Sequence, residues 1–174
     1  PLLIEADGAR PLPLKAPGAH EPPIPGFVDT VLVMAGLAGL GKPLNSEWVH
    51  RPAYFQEISG LSPGETITTS ALSRVLTSPA GGLKNIPEQA RRVLILNQAD
   101  RFEDPDQLRG MIQDCLKHFH AVGVTALQDR GRVIRMQERV SAVVLAAGGA
   151  ERFGQLKQLL SWQGEPFVRV VARK

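Results

Sequence analysis

Residues 142–160 read AVVLAAGGAERFGQLKQLL, the order of a buried strand, a glycine-rich loop and the start of a helix. The unbroken apolar run Ala142–Ala147 suits a central parallel strand, covered on both faces. Gly148, Gly149 and Gly154 let the backbone turn and approach a phosphate closely, and a following helix offers free N–H groups to an anion. Arg152 and Lys157 add positive charge where a polyphosphate would lie, and an arginine fork can grip phosphate oxygens in pairs. Glycine-rich loops also serve as plain strand-to-helix turns, so spacing alone leaves both uses open.

Upstream the same alternation recurs. Leu2–Ile4 reads as a short apolar strand whose carboxyl end presents Glu5 and Asp7, and open α/β sheets place their ligands at that end. The stretch Arg10–Gly26 carries prolines at 11, 13, 17, 22, 23 and 25; the missing N–H groups and fixed φ angles forbid regular helix and disfavour a central strand. It reads as a long, fairly rigid loop, and loops of that length are commonly functional. Val28–Gly36 is a second buried strand, ending in the glycine-rich turn Gly36–Gly41. Asn45 or Ser46 is placed to cap a short helix containing Trp48 and Val49, and another begins at Thr68 or Thr69 and carries Leu72, Val75 and Leu76. After the turn-rich Pro79–Pro87, Arg92–Leu96 gives a third strand running into Asn97-Gln-Ala-Asp100. Asp104-Pro105 is an N-cap followed by proline at the first helical position, with Leu108, Ile112, Cys115, Leu116 and Phe119 at helical spacing. Val122–Leu127 and Val133–Met136 are the last strands before a junction at Gln137–Ser141.

Strands alternating with helices predict a three-layer α/β architecture around a mostly parallel sheet, with a β-loop-α extension at the carboxyl end. The boundaries expected are 1–138 for the front domain and 139–174 for the start of a second. Both ends look abrupt, Pro1 opening inside an apparent strand and Val168–Lys174 closing inside an apparent helix, which predicts a piece of a longer protein.

Composition narrows the function classes. The 174 residues are 43% hydrophobic and 21% charged, as in an ordinary water-facing globule. Twenty Lys+Arg stand against 17 Asp+Glu, a net charge of +3 spread along the chain, so no basic block announces nucleic acid. Cys115 is the single cysteine, which excludes an internal disulfide, and no apolar run reaches membrane-spanning length. No membrane partner is expected, and the cytoplasm is the simplest compartment.

In the front domain the candidate chemistry lies in loops. Glu5 and Asp7 could hold Mg²⁺ beside a triphosphate or be solvated loop carboxylates. Lys15, His20 and Glu21 are the loop groups able to move protons or hold an anion, although a loop histidine is usually idle. Asn97-Gln-Ala-Asp100 is similar to the N-K-x-D element by which GTPases read guanine, with Asp100 placed to accept from the base. Gln98 replaces the lysine and removes the stem that would stack on the base, and the element also fits the plain start of a turn.

Two family resemblances follow from these motifs. LAAGGAERFGQLKQLL with Gly164, Glu165 and Pro166 after it resembles the opening signature of the MobA-like nucleotidyltransferases, L-A-A-G-x-S-x-R-M-G-x-x-K-x-L-L…G-x-P. The resemblance implies that Ala146, Ala147, Gly148, Gly149 and Gly154 line a nucleotide, that Arg152 and Lys157 hold its phosphates, and that the substrates are an NTP, CTP or GTP, and molybdopterin. Ala150 stands where that family has Ser, and Phe153 where it has Met. Earlier in the chain, EADGA at 5–9, HEPPIP at 20–25, GGLKNIP at 81–87 and LNQAD at 96–100, together with PLK at 13–15 and AP at 16–17, resemble the selenium-dependent hydroxylase accessory family, often called YqeC. That resemblance implies a P-loop-NTPase-like α/β fold, a glycine-rich phosphate loop before Pro1, and a role in maturing molybdenum hydroxylases.

Both resemblances point to molybdenum-cofactor maturation. The first expectation is nucleotidyl transfer by the parent protein, with Mg²⁺, an NTP, molybdopterin or the molybdenum cofactor, and a hydroxylase apoenzyme as partners. The alternative is a non-catalytic module that binds nucleotide, cofactor or partner; a GTPase-like switch is opposed by Gln98. An open sheet edge would also recruit strands, from residues 142–147 or from a second copy of the chain.

Overall fold

A computed structural model of the chain describes residues 2–102, 104–128, 131–140, 161, 162 and 164–166. It forms two compact units, Pro1–Arg139 and Val140–Lys174. In the second, β7 (Ser161–Trp162) and β8 (Glu165–Pro166) pair as an antiparallel hairpin turning at Gly164, whose φ of 84° only glycine adopts freely. The expectations for residues 142–160, and so for Ala146, Ala147, Gly148, Gly149, Arg152, Gly154 and Lys157, lie outside the described residues.

The first unit is built in chain order from β1 (Leu14–Lys15), β2 (Thr30–Gly36), β3 (Val49–His50), α1 (Pro52–Ser59), α2 (Thr69–Thr77), β4 (Arg91–Asn97), α3 (Leu108–Cys115), β5 (Ala121–Ala126) and β6 (Arg132–Glu138). The main sheet has four strands in the order β2-β4-β5-β6. β2, β4 and β5 are parallel neighbours, Leu32 facing Val93 and Leu94 facing Val122, while β6 returns antiparallel to β5. Residues 127–131 are too short for a crossover and force that reversal; the turn closes with the Gly131 N–H on the Leu127 carbonyl, 3.0 Å. β1 and β3 form a separate two-stranded parallel ladder.

One hydrophobic cluster holds the unit together. Leu94, Leu96, Val122 and Val124 of the sheet pack with Leu72, Val75 and Leu76 of α2, Met111, Ile112 and Cys115 of α3, and Phe55 of α1. Phe55, Leu94, Leu96 and Phe119 are fully buried, each worth about 1.5–3 kcal/mol relative to an exposed side chain. α2 begins where its cap predicts: Thr68 Oγ1 accepts from the Ala71 N–H at 3.1 Å. Asp104 Oδ1 likewise accepts from the Asp106 N–H at 3.1 Å and starts the 3-10 turn Pro105–Gln107 that leads into α3.

The described residues depart from the sequence reading in three places. They build two layers, not three, because α1, α2 and α3 all join the cluster on one face of the sheet. The other face presents Leu32 at 58%, Met34 at 56% and Met136 at 50% exposure. Leu2–Ile4 is not a strand: it finds no ladder partner, and Leu3 is 93% exposed. A three-residue apolar run makes a strand only where a neighbour supplies the hydrogen bonds. No helix contains Trp48 and Val49 either. Asn45 Oδ1 accepts from the Glu47 N–H at 3.0 Å, making a local side-chain turn instead of a cap. Val49 joins β3, and the helix starts later, at Pro52. Proline at the first helical position suits α1, whose preceding residue Arg51 sits in the left-handed region at φ 63°. Among the described residues no helix is long and apolar enough to cross a membrane.

Candidate functional site

The proline-rich loop crosses the carboxyl ends of the parallel strands. The Gly36 N–H, at the end of β2, donates to the Pro13 carbonyl at 2.8 Å. A Cβ at Gly36 would collide with the Gln98 side chain and stand 2.9 Å from Pro13 Cβ, so glycine is what lets the loop and the end of β4 close over it. Two residues after Pro13, Lys15 enters β1 and its ammonium turns into a charged cluster.

Glu21 is the hub. Its carboxylate accepts from both terminal nitrogens of Arg51, Nη2 at 2.7 Å, and pairs with Lys15 Nζ at 2.8 Å. The Gly18 N–H points at the same oxygen from 3.4 Å. Lys15 Nζ also bonds Asp7 and the Gly8 carbonyl, the latter at 2.9 Å. The Arg51 fork, and then Lys15, hold the Glu21 carboxyl well below the usual carboxylate range. Nearby His50 is pushed below its ordinary value, first by burial and then by the positive charges of Arg51, Lys15 and Arg10, which Glu21 opposes.

A second loop fastens the first. Lys84 Nζ donates to the Gly18 and Ala19 carbonyls at 2.5 and 3.1 Å, Asn85 Nδ2 to the Pro22 carbonyl at 3.0 Å, and Gln89 Nε2 to the Gly26 carbonyl at 2.8 Å. The glycines of GGLKNIP have their own reason: a Cβ on Gly81 would strike the Val75 carbonyl, and one on Gly82 the Leu76 carbonyl. With hydrogen there instead, the loop folds tightly back on the end of α2, the Gly82 N–H bonds Val75 at 2.9 Å, and Lys84 and Asn85 are aimed at residues 18–22.

Asp7, Lys15 and Glu21 are thus brought together, whereas Glu5 and His20 are exposed. Among the described residues no group of three or more His, Cys, Asp or Glu is arranged to hold a metal ion. Asn97 braces strand ends: its Oδ1 accepts from Thr125 Oγ1 at 3.1 Å and from the Leu127 N–H at 3.0 Å. Gln98 stands in the left-handed region at φ 62° with a buried, unpartnered Oε1. Asp100 is exposed on the 3-10 turn Ala99–Arg101, 4.0 Å from Arg101 Nε. The sequence alone does not single out Arg51, Lys84 or Asn85 as site residues. Lys84 and Asn85 stood inside a recognisable motif, but nothing around Arg51 signalled a partner thirty positions away.

A separate open cavity of about 440 Å³ lies at the amino ends of the strands, lined by Asp29, Glu88, Arg91, His120, Glu138 and Arg139. Arg91 and Glu138 satisfy each other across it at 2.8 Å. The loop cluster, with cations converging on a single carboxylate at the ligand-binding end of the sheet, is the stronger candidate.

The comparisons with known proteins bear on that same segment. Residues 1–53, which contain Asp7, Lys15, Glu21, His50 and Arg51, match the family model described as YqeC protein. The front of this chain is YqeC-like. Over 135 residues it is 36% identical to the protein of Escherichia coli (strain K12) named "Uncharacterized protein YqeC", an alignment covering 77% of this chain and 53% of that protein. The chain therefore spans about half the length of the curated relative it matches. No solved structure matches it.

Proposed function

We propose that this chain serves the maturation of a selenium-dependent molybdenum hydroxylase, and that its loop cluster holds the phosphate of a nucleotide or of a pterin cofactor intermediate. The YqeC-like segment supports the process. The observation that carries the site is the convergence of Lys15, Arg51 and the Gly18 N–H on one oxyanion at the carboxyl edge of β2 and β4. An arginine fork with a point-charged lysine is the donor set that phosphate oxygens require.

In this reading the residues bind and orient. Arg51 fixes the plane of the bound group, Lys15 neutralises it, and Lys84 and Asn85 keep the covering loop in place. A nucleotide would bring Mg²⁺ with it, and magnesium usually keeps several waters and takes one or two protein carboxylates. Glu5 and Asp7 are the carboxylates that would hold it. The cytoplasm is the compartment this role implies.

The test is functional. In cells deleted for this protein, molybdenum hydroxylase activity in extracts should be restored by the full-length wild type and not by Lys15→Ala or Arg51→Asn. Asparagine tolerates the left-handed backbone of position 51 and removes the guanidinium with most of its stem. Full restoration by both variants would end this assignment of the site.

The motif at 145–160 favours a second reading for the complete protein, nucleotidyl transfer. A terminal phosphate oxygen of molybdopterin would attack the α-phosphorus of CTP or GTP in line, forming a phosphoanhydride and expelling pyrophosphate. Arg152 and Lys157 are assigned to the triphosphate. Lys157→Ala in the complete protein should weaken transfer strongly; unchanged kinetics would remove Lys157 from the site.

A further inference from the structure

The Glu21 carboxylate occupies the place where an incoming phosphate would have to sit. Two nitrogens of Arg51, the Lys15 ammonium and the Gly18 N–H converge on it, as they would on phosphate oxygens. Two cations, Arg51 and Lys15, meet on this one carboxylate, and Lys15 also bonds Asp7. Glu21 also belongs to the segment 18–26, which makes no ladder pairing and is fastened from outside by Lys84, Asn85 and Gln89 reaching its carbonyls. Prolines 22, 23 and 25 stiffen that segment, so it can lift as a unit when those few bonds part.

We infer that Glu21 is a resident anion: its carboxylate closes the phosphate position formed by Lys15 and Arg51, and a phosphoanion binds by displacing it together with the 18–26 strap. This rests on the reading that the cluster takes a phosphoanion. Only a fraction of the molecules present an open site, and apparent affinity is reduced by that fraction. The strap thus acts as a gate, admitting ligands charged enough to outcompete a carboxylate. A phosphate monoester carries at most two charges and a pyrophosphate group more, so the gate favours the polyphosphate.

Calorimetric titration of the 174-residue chain with inorganic pyrophosphate, and separately with phenyl phosphate as the monoester, tests this. Glu21→Gln keeps the shape and removes the charge, and should bind pyrophosphate roughly tenfold more tightly than wild type. Adding Lys15→Ala should abolish the gain. Asn85→Gly suits the positive φ of 57° at that position, leaves every cation in place and unfastens Pro22; it should give a smaller gain in the same direction, and serves if Glu21→Gln does not fold. Pyrophosphate binding by wild type that neither variant improves would overturn the gate and leave the phosphoanion site standing. Binding by none of the three proteins would overturn both. The ratio of pyrophosphate to monoester affinity in Glu21→Gln tells a nucleotide source from a pterin phosphate.

Discussion

Replacing Gly81 by alanine should damage both the stability of the front unit and the fastening of its site. Gly81 lies where the chain leaves α2 and turns back on it, and a Cβ there would overlap the Val75 carbonyl oxygen, a rigid backbone atom. The turn must therefore move. Two hydrogen bonds depend on it, Gly82 N–H to Val75 at 2.9 Å and Leu83 N–H to Ser78 at 3.1 Å. Their loss costs about 1 kcal/mol each. Forcing a methyl group into a closed site adds about 1–3 kcal/mol of repacking, some of it relieved once those bonds have gone. A net loss of about 2–4 kcal/mol follows, and at about 2–4 °C per kcal/mol for a chain of this size the melting temperature should fall by roughly 4–16 °C. Thermal denaturation followed by circular dichroism at 222 nm reads this directly. A melting temperature within about 1 °C of wild type would refute the claim that the GG pair is there for close approach, and with it the explanation of how Lys84 and Asn85 are aimed.

The contrasting glycine is Gly110, inside α3 with nothing within 4 Å of a Cβ; Gly110→Ala should raise stability by about 0.5–1 kcal/mol in the same assay, and a loss would contradict the placement of α3. Because Arg51 and Lys15 depress the Glu21 carboxyl below its ordinary value near 4.5, its contribution is fully present above that pH and is lost as pH falls below it. Urea melts should therefore show the stability gap between wild type and Glu21→Gln constant above about pH 6 and narrowing below 4.5, and a gap that widens in acid would reverse the sign of the coupling. The buried Cys115 thiol, pushed up to about 11 by burial, should react with a thiol-specific disulfide reagent at pH 8 only in denaturant; rapid native labelling would put Cys115 at the surface.

The elements legible in the sequence were those whose signals are local. Thr68 as a cap, Asp104-Pro105 before a helix, and the apolar runs around Leu94 and Val122 each carry their own stereochemistry, and β2, β4, β5, α2 and α3 follow from them. Leu2–Ile4 misled because three apolar residues say nothing about whether a ladder partner exists. α1 was hidden because its start depends on the unusual backbone of Arg51, not on a polar cap. In the site, Lys15 and Glu21 could be singled out as charged groups in a proline-rich loop, and their company could not. Ion pairs such as Glu21 with Arg51, and side-chain bonds such as Lys84 to Gly18, join positions that only the folded chain brings together. The face bearing Leu32 and Met34 shows the same limit, since an apolar strand reads alike whether one face or both are covered.

The central claim is that loops far apart in sequence converge on a phosphoanion site at the carboxyl edge of the sheet. Its most direct test is calorimetric titration of the chain with CTP, GTP and ATP, each with Mg²⁺, for wild type, Lys15→Ala and Arg51→Asn, with folding checked by circular dichroism. The account predicts saturable binding by wild type that both substitutions abolish. No binding at millimolar nucleotide, or binding that survives both substitutions, would contradict it.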